Sequence, residues 1–200
     1  MVTPRPRRTS TRKTAATRDA VPERLFRRTQ ATPIGDVLLL ASRDGLCALE
    51  FLRPQRIQRL NARLQRWFPP HEIVDEDSRW LRAAERWLRT YFNGRRAKPA
   101  SLRLDLRGAP FERRVWEALL EIPAGATRSY GSLARQLGSP RAARAVGAAV
   151  GQNPVSIIVP CHRAIGSNGS LTNYGGGLPR KQWLLRHESR WAPHAPGRLF

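Results

Sequence analysis

Residues 156–167 read SIIVPCHRAIGS, an apolar run that delivers a cysteine and a histidine side by side straight after a proline. Cys161 is one of two cysteines in the chain, the other being Cys47. A free thiol is only a few per cent thiolate near neutral pH, so a nucleophilic role needs a base or a cationic setting. His162 and the neighbouring arginines supply both by type. Adjacent residues of an extended segment point to opposite sides, so His162 serves Cys161 only through a bridging water or a kink after Pro160. Metal binding is the rival chemistry for such a pair. The other soft ligands are Cys47, His71, His187 and His194, and none stands at ligand spacing from it. An inert buried thiol is the third reading that residue type allows.

The elements that must position this pair can be read outward from it. Residues 157–159 predict a buried strand ending at Pro160, which would hold Cys161 rigidly at the core's edge. Upstream, PFERRVWEALLEI predicts a helix with Pro110 in its first turn and Phe111, Val115, Trp116 and Leu119 on one face. SYGSLARQLG predicts a short helix closed by Gly138. SPRAARAVGAAVGQNP restarts a helix with Ser139 as cap and Pro140 in the first turn, stopped at Asn153-Pro154. Two helices broken by Gly-Ser-Pro have the form of a helix-turn-helix. Between Glu121 and Glu188 there is no acid, while Arg128, Arg135, Arg141, Arg144, Arg163, Arg180, Lys181 and Arg186 fall there. That is hard to explain as an ordinary solvated face and points to a polyanion. The small residues Ala142, Ala143, Ala145, Gly147, Ala148, Ala149 and Gly151 admit either close approach of a partner or close packing inside the protein.

The N-terminal half has a different grammar. GDVLLLASRDGLCALEFL predicts two strands, 36–41 and 46–52, around a turn at Arg43-Asp44-Gly45, with Cys47 as a small buried hydrophobe. Helices are predicted over 55–68, stopped by Pro69-Pro70, and after Asp77 to Gly94, where Trp80, Leu81, Ala84, Trp87, Leu88, Tyr91 and Phe92 make one stripe. SLRLDLRG alternates like an edge strand. Four segments result: a basic tail over 1–24 expected to be disordered, an α/β domain over 25–107, a mainly helical domain over 108–190, and a C-terminal tail over 191–200. The tail's Arg, Thr, Pro and Ala suit a DNA-binding arm, a localisation signal, a transit peptide or a plain solubilising segment. A net charge of +21 favours nucleic acid as partner. Two cysteines make no disulfide framework, and no stretch reaches membrane-spanning length, so no membrane role and an intracellular, cytoplasmic setting are expected.

PCHRAIGSNGSLTNYGGGLPRKQWLLRHE, FERRVWEALLEIPAGATRSYGSLA and SPRAARAVGAAVGQNP together resemble, in order, the signature blocks of the O6-alkylguanine-DNA alkyltransferases, or methylated-DNA–protein-cysteine methyltransferases. The resemblance is specific over 110–188 and looser over 26–106. It implies a small ribonuclease H-like sheet-and-helix domain followed by a winged-helix-like domain with the helix-turn-helix. It also implies direct-reversal DNA repair: the alkyl group of O6-alkylguanine in duplex DNA, with O4-alkylthymine a further expected substrate, moves irreversibly to Cys161 after the nucleotide is rotated out of the stack. His162 takes the thiol proton through a water, Glu188 polarises the imidazole, and Tyr130 protonates the departing base. Arg144 matches the finger that fills the gap in the helix. Tyr130 matches the tyrosine that crowds the 3′ phosphate, and Arg128, Arg135, Arg141, Ala143, Gly147 and Asn153 complete the expected DNA-contacting set. Pro160, Tyr174, Gly175 and Asn153 form the expected base and alkyl pocket. No cofactor and no metal are implied. The expected partner is double-stranded DNA, bound by a monomer, with side-by-side cooperative binding left open.

The chain departs from many relatives at Ala164, Asn173 and Gly175, where valine or isoleucine, glycine and serine are common. Family-like damage sensors replace the reactive cysteine, so Cys161 argues against that reading. A cysteine hydrolase would leave the acid-free helix-turn-helix unexplained. A purely architectural DNA-binding protein would leave PCHR unexplained.

Overall fold

The computed structural model describes residues 21–191, so the basic tail up to residue 20 and residues 192–200 lie outside the described part. The first element is a strand that periodicity did not reveal, β1 (Glu23–Gln30), two residues ahead of the expected boundary at Leu25. Only Leu25 is fully buried in it, and Arg24, Arg27 and Arg28 take three of the seven remaining positions. β2 (Val37–Ala41) and β3 (Leu46–Phe51) form the expected hairpin within a residue at each end. A second unpredicted strand, β4 (His71–Val74), pairs parallel with β1, giving a four-stranded sheet in the order β3-β2-β1-β4.

The alternation of side chains along β2 and β3 splits the apolar residues between two faces. Leu40, Cys47 and Ala48 meet Leu60, Leu64 and Phe68 from helix α1 (Pro54–Trp67) and the residue after it. Val37, Leu39, Leu49 and Phe51 meet the stripe of α2 (Arg79–Phe92), whose Leu81, Ala84, Trp87, Leu88 and Tyr91 are buried as the sequence predicts. Ser78 caps α2 by accepting from the Trp80 N–H. SLRLDLRG is not a regular strand. After a 3₁₀ turn at Pro99–Ser101 it makes one parallel bridge, Leu104 to Leu46. Its backbone spends its hydrogen bonds locally on β3, with Leu46 N donating to Arg103 O and Asp105 N to Leu46 O.

The C-terminal domain packs α3 (Pro110–Leu120), α4 (Tyr130–Gln136) and α5 (Ala143–Gly151) together. Trp116 is fully buried and its indole N–H donates to Ala149 O, which ties α3 to α5. α5 begins three residues later than a cap at Ser139 would place it. Ser139 to Ala142 form a turn instead, with Ala142 N donating to Ser139 O, and Arg141 stands in that turn. Two-residue strands β5 (Arg128–Ser129) and β6 (Ala164–Ile165) pair in parallel beside the helices, and α6 (Leu178–Ser189) closes the fold. No helix among the described residues is long and apolar enough to cross a membrane.

The two domains share a seam at the outer edge of β3. Leu49 N donates to Pro154 O and Ser156 N returns to Leu49 O. A sheet edge otherwise open to pairing is thereby covered, and the segment entering Cys161 is locked to the N-terminal sheet.

Candidate active site

Residues 157–159 are buried but do not form the expected strand. Ile158 N bonds to Ser156 O and Val159 N to Val155 O, so the chain curls as soon as it leaves β3. Ile157 carries φ +70°, a conformation that a β-branched side chain adopts only under compulsion and that costs about 1–3 kcal/mol. Beyond Pro160, Cys161–Arg163 make one 3₁₀ turn. The kink after the proline thus exists, and it sends Cys161 and His162 into the core together.

Asn153 holds this turn. Its Nδ2 donates to Val159 O at 2.8 Å and to Cys161 Sγ at 3.1 Å, while its Oδ1 accepts from Val155 N at 3.0 Å. Asn153 is buried, and its side chain is committed to the thiol and to the backbone on either side of it. Cys161 is 6% exposed. Burial pushes its thiol up, and the Asn153 N–H and the Arg56 charge pull it partly back.

His162 has no exposed surface. Its Nε2 stands 2.9 Å from Glu188 Oε1, whereas its Nδ1 is buried without a partner among the described residues. Burial lowers the imidazole below its ordinary value against the pull of Glu188, so the ring is neutral at pH 7. Burial raises the Glu188 carboxyl, but His162 and Arg163 outweigh it and hold the group far below the usual carboxylate range. An ionised Glu188 accepts Nε2–H, which fixes the tautomer and leaves the Nδ1 lone pair free to accept a proton.

Three further groups converge on Glu188. Arg163 donates from Nε to Oε2 and from Nη2 to Oε1, both at 2.8 Å, and from Nη1 to Ile122 O at 2.5 Å. The Tyr91 hydroxyl, delivered by α2, donates to Oε1 at 2.7 Å. Gly125 N approaches Oε2 at 3.4 Å. Sequence reasoning placed Arg163 and Lys181 in the DNA-facing basic cluster; both are buried and belong to the interior. Lys181 Nζ donates to Ala164 O at 2.6 Å and to Thr172 O at 2.8 Å, and burial brings its pKa down to about 8. Arg180 is likewise occupied, bonding Ile34 O and Gly176 O.

Tyr130 opens α4, half-buried, with its hydroxyl donating to Thr172 O at 3.2 Å. Tyr174 is buried edge-on to the His162 ring at 6.4 Å, and its hydroxyl has no partner among the described residues. Pro160 is buried beside Cys161. Arg144 lies in the first turn of α5 and is exposed, as are Arg128, Arg135 and Arg141; Ala143 and Gly147 are half-buried. The small residues of α5 divide. Val146, Ala149 and Val150 pack inward, whereas Ala145 and Ala148 are exposed. A Cβ on Gly147 would find Tyr130 Cδ1 at 3.9 Å as its nearest neighbour, and one on Gly151 would find nothing within 4 Å. Internal crowding therefore does not explain the two glycines.

The pocket's back wall comes from the N-terminal domain. Arg56 forms a buried ion pair with Glu50 and donates to Gly151 O at 3.0 Å and Asn153 O at 3.1 Å. Burial pushes the Glu50 carboxyl up to about 7 against the pull of Arg56. Nothing local in the sequence marks the two carbonyl contacts of Arg56, because Gly151 and Asn153 lie 95 and 97 positions away. The one group of three carboxylates close enough to share an ion among the described residues, Glu23, Asp44 and Asp105, includes neither Cys161 nor His162.

Residues 110–190 match the family model described as the DNA binding domain of 6-O-methylguanine DNA methyltransferase, and residues 25–106 match that of its ribonuclease-like domain. The chain belongs to the 6-O-methylguanine DNA methyltransferase family. The methylated-DNA–protein-cysteine methyltransferase of Mycolicibacterium paratuberculosis is 47% identical over 168 residues, 83% of this chain and 93% of the relative. The crystal structure of Mycobacterium tuberculosis O6-methylguanine methyltransferase superposes with a TM-score of 0.68 at 42% identity, covering 86% of this chain and 96% of that one. The structure of M. tuberculosis OGT in complex with DNA gives 0.68 at 43% identity, covering 84% and 96%. Gly175, one of the departures from many family members, has a local reason. A Cβ there would stand 2.7 Å from Arg56 Cζ, and Arg56 is pinned by Glu50 and two carbonyls.

Proposed function

We propose that this protein repairs DNA by moving the alkyl group of an O6-alkylguanine irreversibly onto Cys161, with the damaged nucleotide first rotated out of the duplex. The S–C bond forms as the O6–C bond breaks. The thiol proton passes to the free Nδ1 of His162 through a water, and the departing guanine takes a proton from Tyr130, which regains one from solvent. The products are an intact guanine and a Cys161 thioether, so each chain acts once, as a monomer at one lesion. Arg144 fills the space the nucleotide leaves, and Arg128, Arg135 and Arg141 meet phosphates around it.

The observation that best supports this reading is the His162 ring: Nε2 committed to an ionised Glu188, and Nδ1 buried and unpartnered among the described residues, in the same 3₁₀ turn as a thiol that already accepts one N–H. Family membership and the DNA complex of a relative at 43% identity support DNA as the partner. The test is intact-protein mass after mixing with equimolar duplex carrying one O6-methylguanine, followed by peptide mapping. A gain of one methyl group on Cys161, absent with undamaged duplex, is expected. Tight lesion binding with unchanged mass would make the protein a damage sensor instead.

A further inference from the structure

Helix α1 contains no acid, and beyond its buried stripe it presents Arg59, Arg63 and Arg66. Spacings of four and three place these guanidiniums on one helical face, where like charges repel. They form one wall of an open cleft of about 1490 Å³, whose other wall is Arg113 of α3 with Ala145 and Ala148 of α5. The cleft is larger than the roughly 300–1,000 Å³ of a small-molecule pocket.

The charges are not neutralised from within. Arg59, Arg66 and Arg113 are exposed, and their guanidiniums have no hydrogen-bond or ion-pair partner among the described residues. Of the two acids in the cleft, Asp105 is bonded to Ser42 and Arg107, and Glu112, whose charge reaches Arg63 alone of the row, accepts from Ala109 N. Elsewhere in the same domain the opposite holds, since Arg24, Arg27 and Arg28 of β1 each face Glu or Asp. Arg63 also ties the row to the DNA-facing helix. Its Nη1 donates at 2.7 Å to the carbonyl of Gln152, the residue that ends α5. A polyanion lying along the exposed face of α5 runs directly onto this row.

We propose that Arg59, Arg63 and Arg66 extend the DNA interface into the N-terminal domain by contacting the phosphodiester backbone of the duplex that flanks the lesion. The inference rests on the DNA-repair reading above. Its test is the salt dependence of binding of the full chain to a fluorescein-labelled undamaged duplex, followed by anisotropy. Arg59→Gln/Arg66→Gln removes two phosphate contacts. It should lower the slope of log affinity against log salt by about 1.8, at roughly 0.9 per contact, while melting at the wild-type temperature. Arg66→Gln alone, the milder variant, should lower it by about 0.9. The comparison is Arg86→Gln/Arg89→Gln, which removes the same charge from exposed positions of α2 on the other face of the sheet and should leave the slope unchanged.

A steep wild-type slope that the α1 variants leave intact would overturn the proposal and leave the repair reading standing. So would equal losses from the α1 and α2 pairs, which would reduce the row to general charge. A wild-type chain that neither binds duplex in a salt-dependent way nor gains mass from methylated duplex would overturn both. Binding of an acidic protein at this row, with duplex affinity untouched, would also refute it.

Discussion

The two cysteines occupy regions of equal burial and opposite chemistry. Cys47 is 1% exposed and Cys161 6%, and both are free thiols. Around Cys47 stand Leu25, Leu40, Leu60 and Leu64, and its thiol donates to Leu40 O at 3.4 Å. Burial therefore raises Cys47 far above the ordinary thiol range. Around Cys161 the same penalty is opposed by the Asn153 N–H and by the Arg56 and Lys181 charges, with a neutral imidazole next in the chain. Burial alone makes a thiol inert; burial amid converging donors, cations and a base makes one that can be activated.

The strongest way to break this contrast is Glu188→Gln. The change strips His162 of its anionic partner and leaves the Arg163 guanidinium buried beside a neutral amide. Transfer from free O6-benzylguanine should fall at least about 100-fold, the scale of a lost general base. Urea unfolding should show a loss of about 3–5 kcal/mol, as for a broken buried ion pair. The pH dependence carries a sign. A carboxyl held below its unfolded value contributes stability that is fully present above the ordinary carboxylate pKa and is lost as pH falls through the folded one. The gap between wild type and Glu188→Gln should therefore narrow steadily in acid.

Tyr91→Phe sharpens the contrast with less damage. It removes one of the donors to Glu188 Oε1 while keeping the ring that stacks on Trp87 at 5.2 Å. A hydrogen bond to a charged group is worth about 1.5–3 kcal/mol of stability. With one donor gone, Glu188 binds the imidazolium form of His162 more strongly. The acid limb of the pH–rate profile should then move to higher pH, with the rate at its plateau changed only a few-fold. An unchanged profile would reduce Tyr91 to packing. The smallest effect belongs to Cys47→Ala: about 1 kcal/mol lost to the vacated volume, and one methyl group still gained from methylated duplex by intact mass.

Much of this protein was legible along the chain. Periodicity of apolar side chains gave α1, α2 and α3 and the β2–β3 hairpin, because those elements bury a regular face and the period is a local property. The resemblance carried by PCHR and the blocks around it singled out Cys161, His162, Asn153 and Glu188, and the fold brings these four together. The arginines of β1 hid that strand, since their acids lie on β4, the segment that follows it and α2, and only pairing across the sheet makes such a sequence fold there. The β-branched run at 157–159 reads as a strand, but the covered edge of β3 bends it into a turn. The fates of the basic residues were decided by tertiary structure alone. Arg56, Arg163 and Lys181 became interior donors to carboxylates and carbonyls, while Arg59, Arg66, Arg113 and Arg144 stayed in solvent. A guanidinium carries the same charge in either place. Whether it holds a core together or waits for a phosphate depends on which acids and carbonyls the fold brings within about 3 Å of it, a long-range fact that no local pattern records.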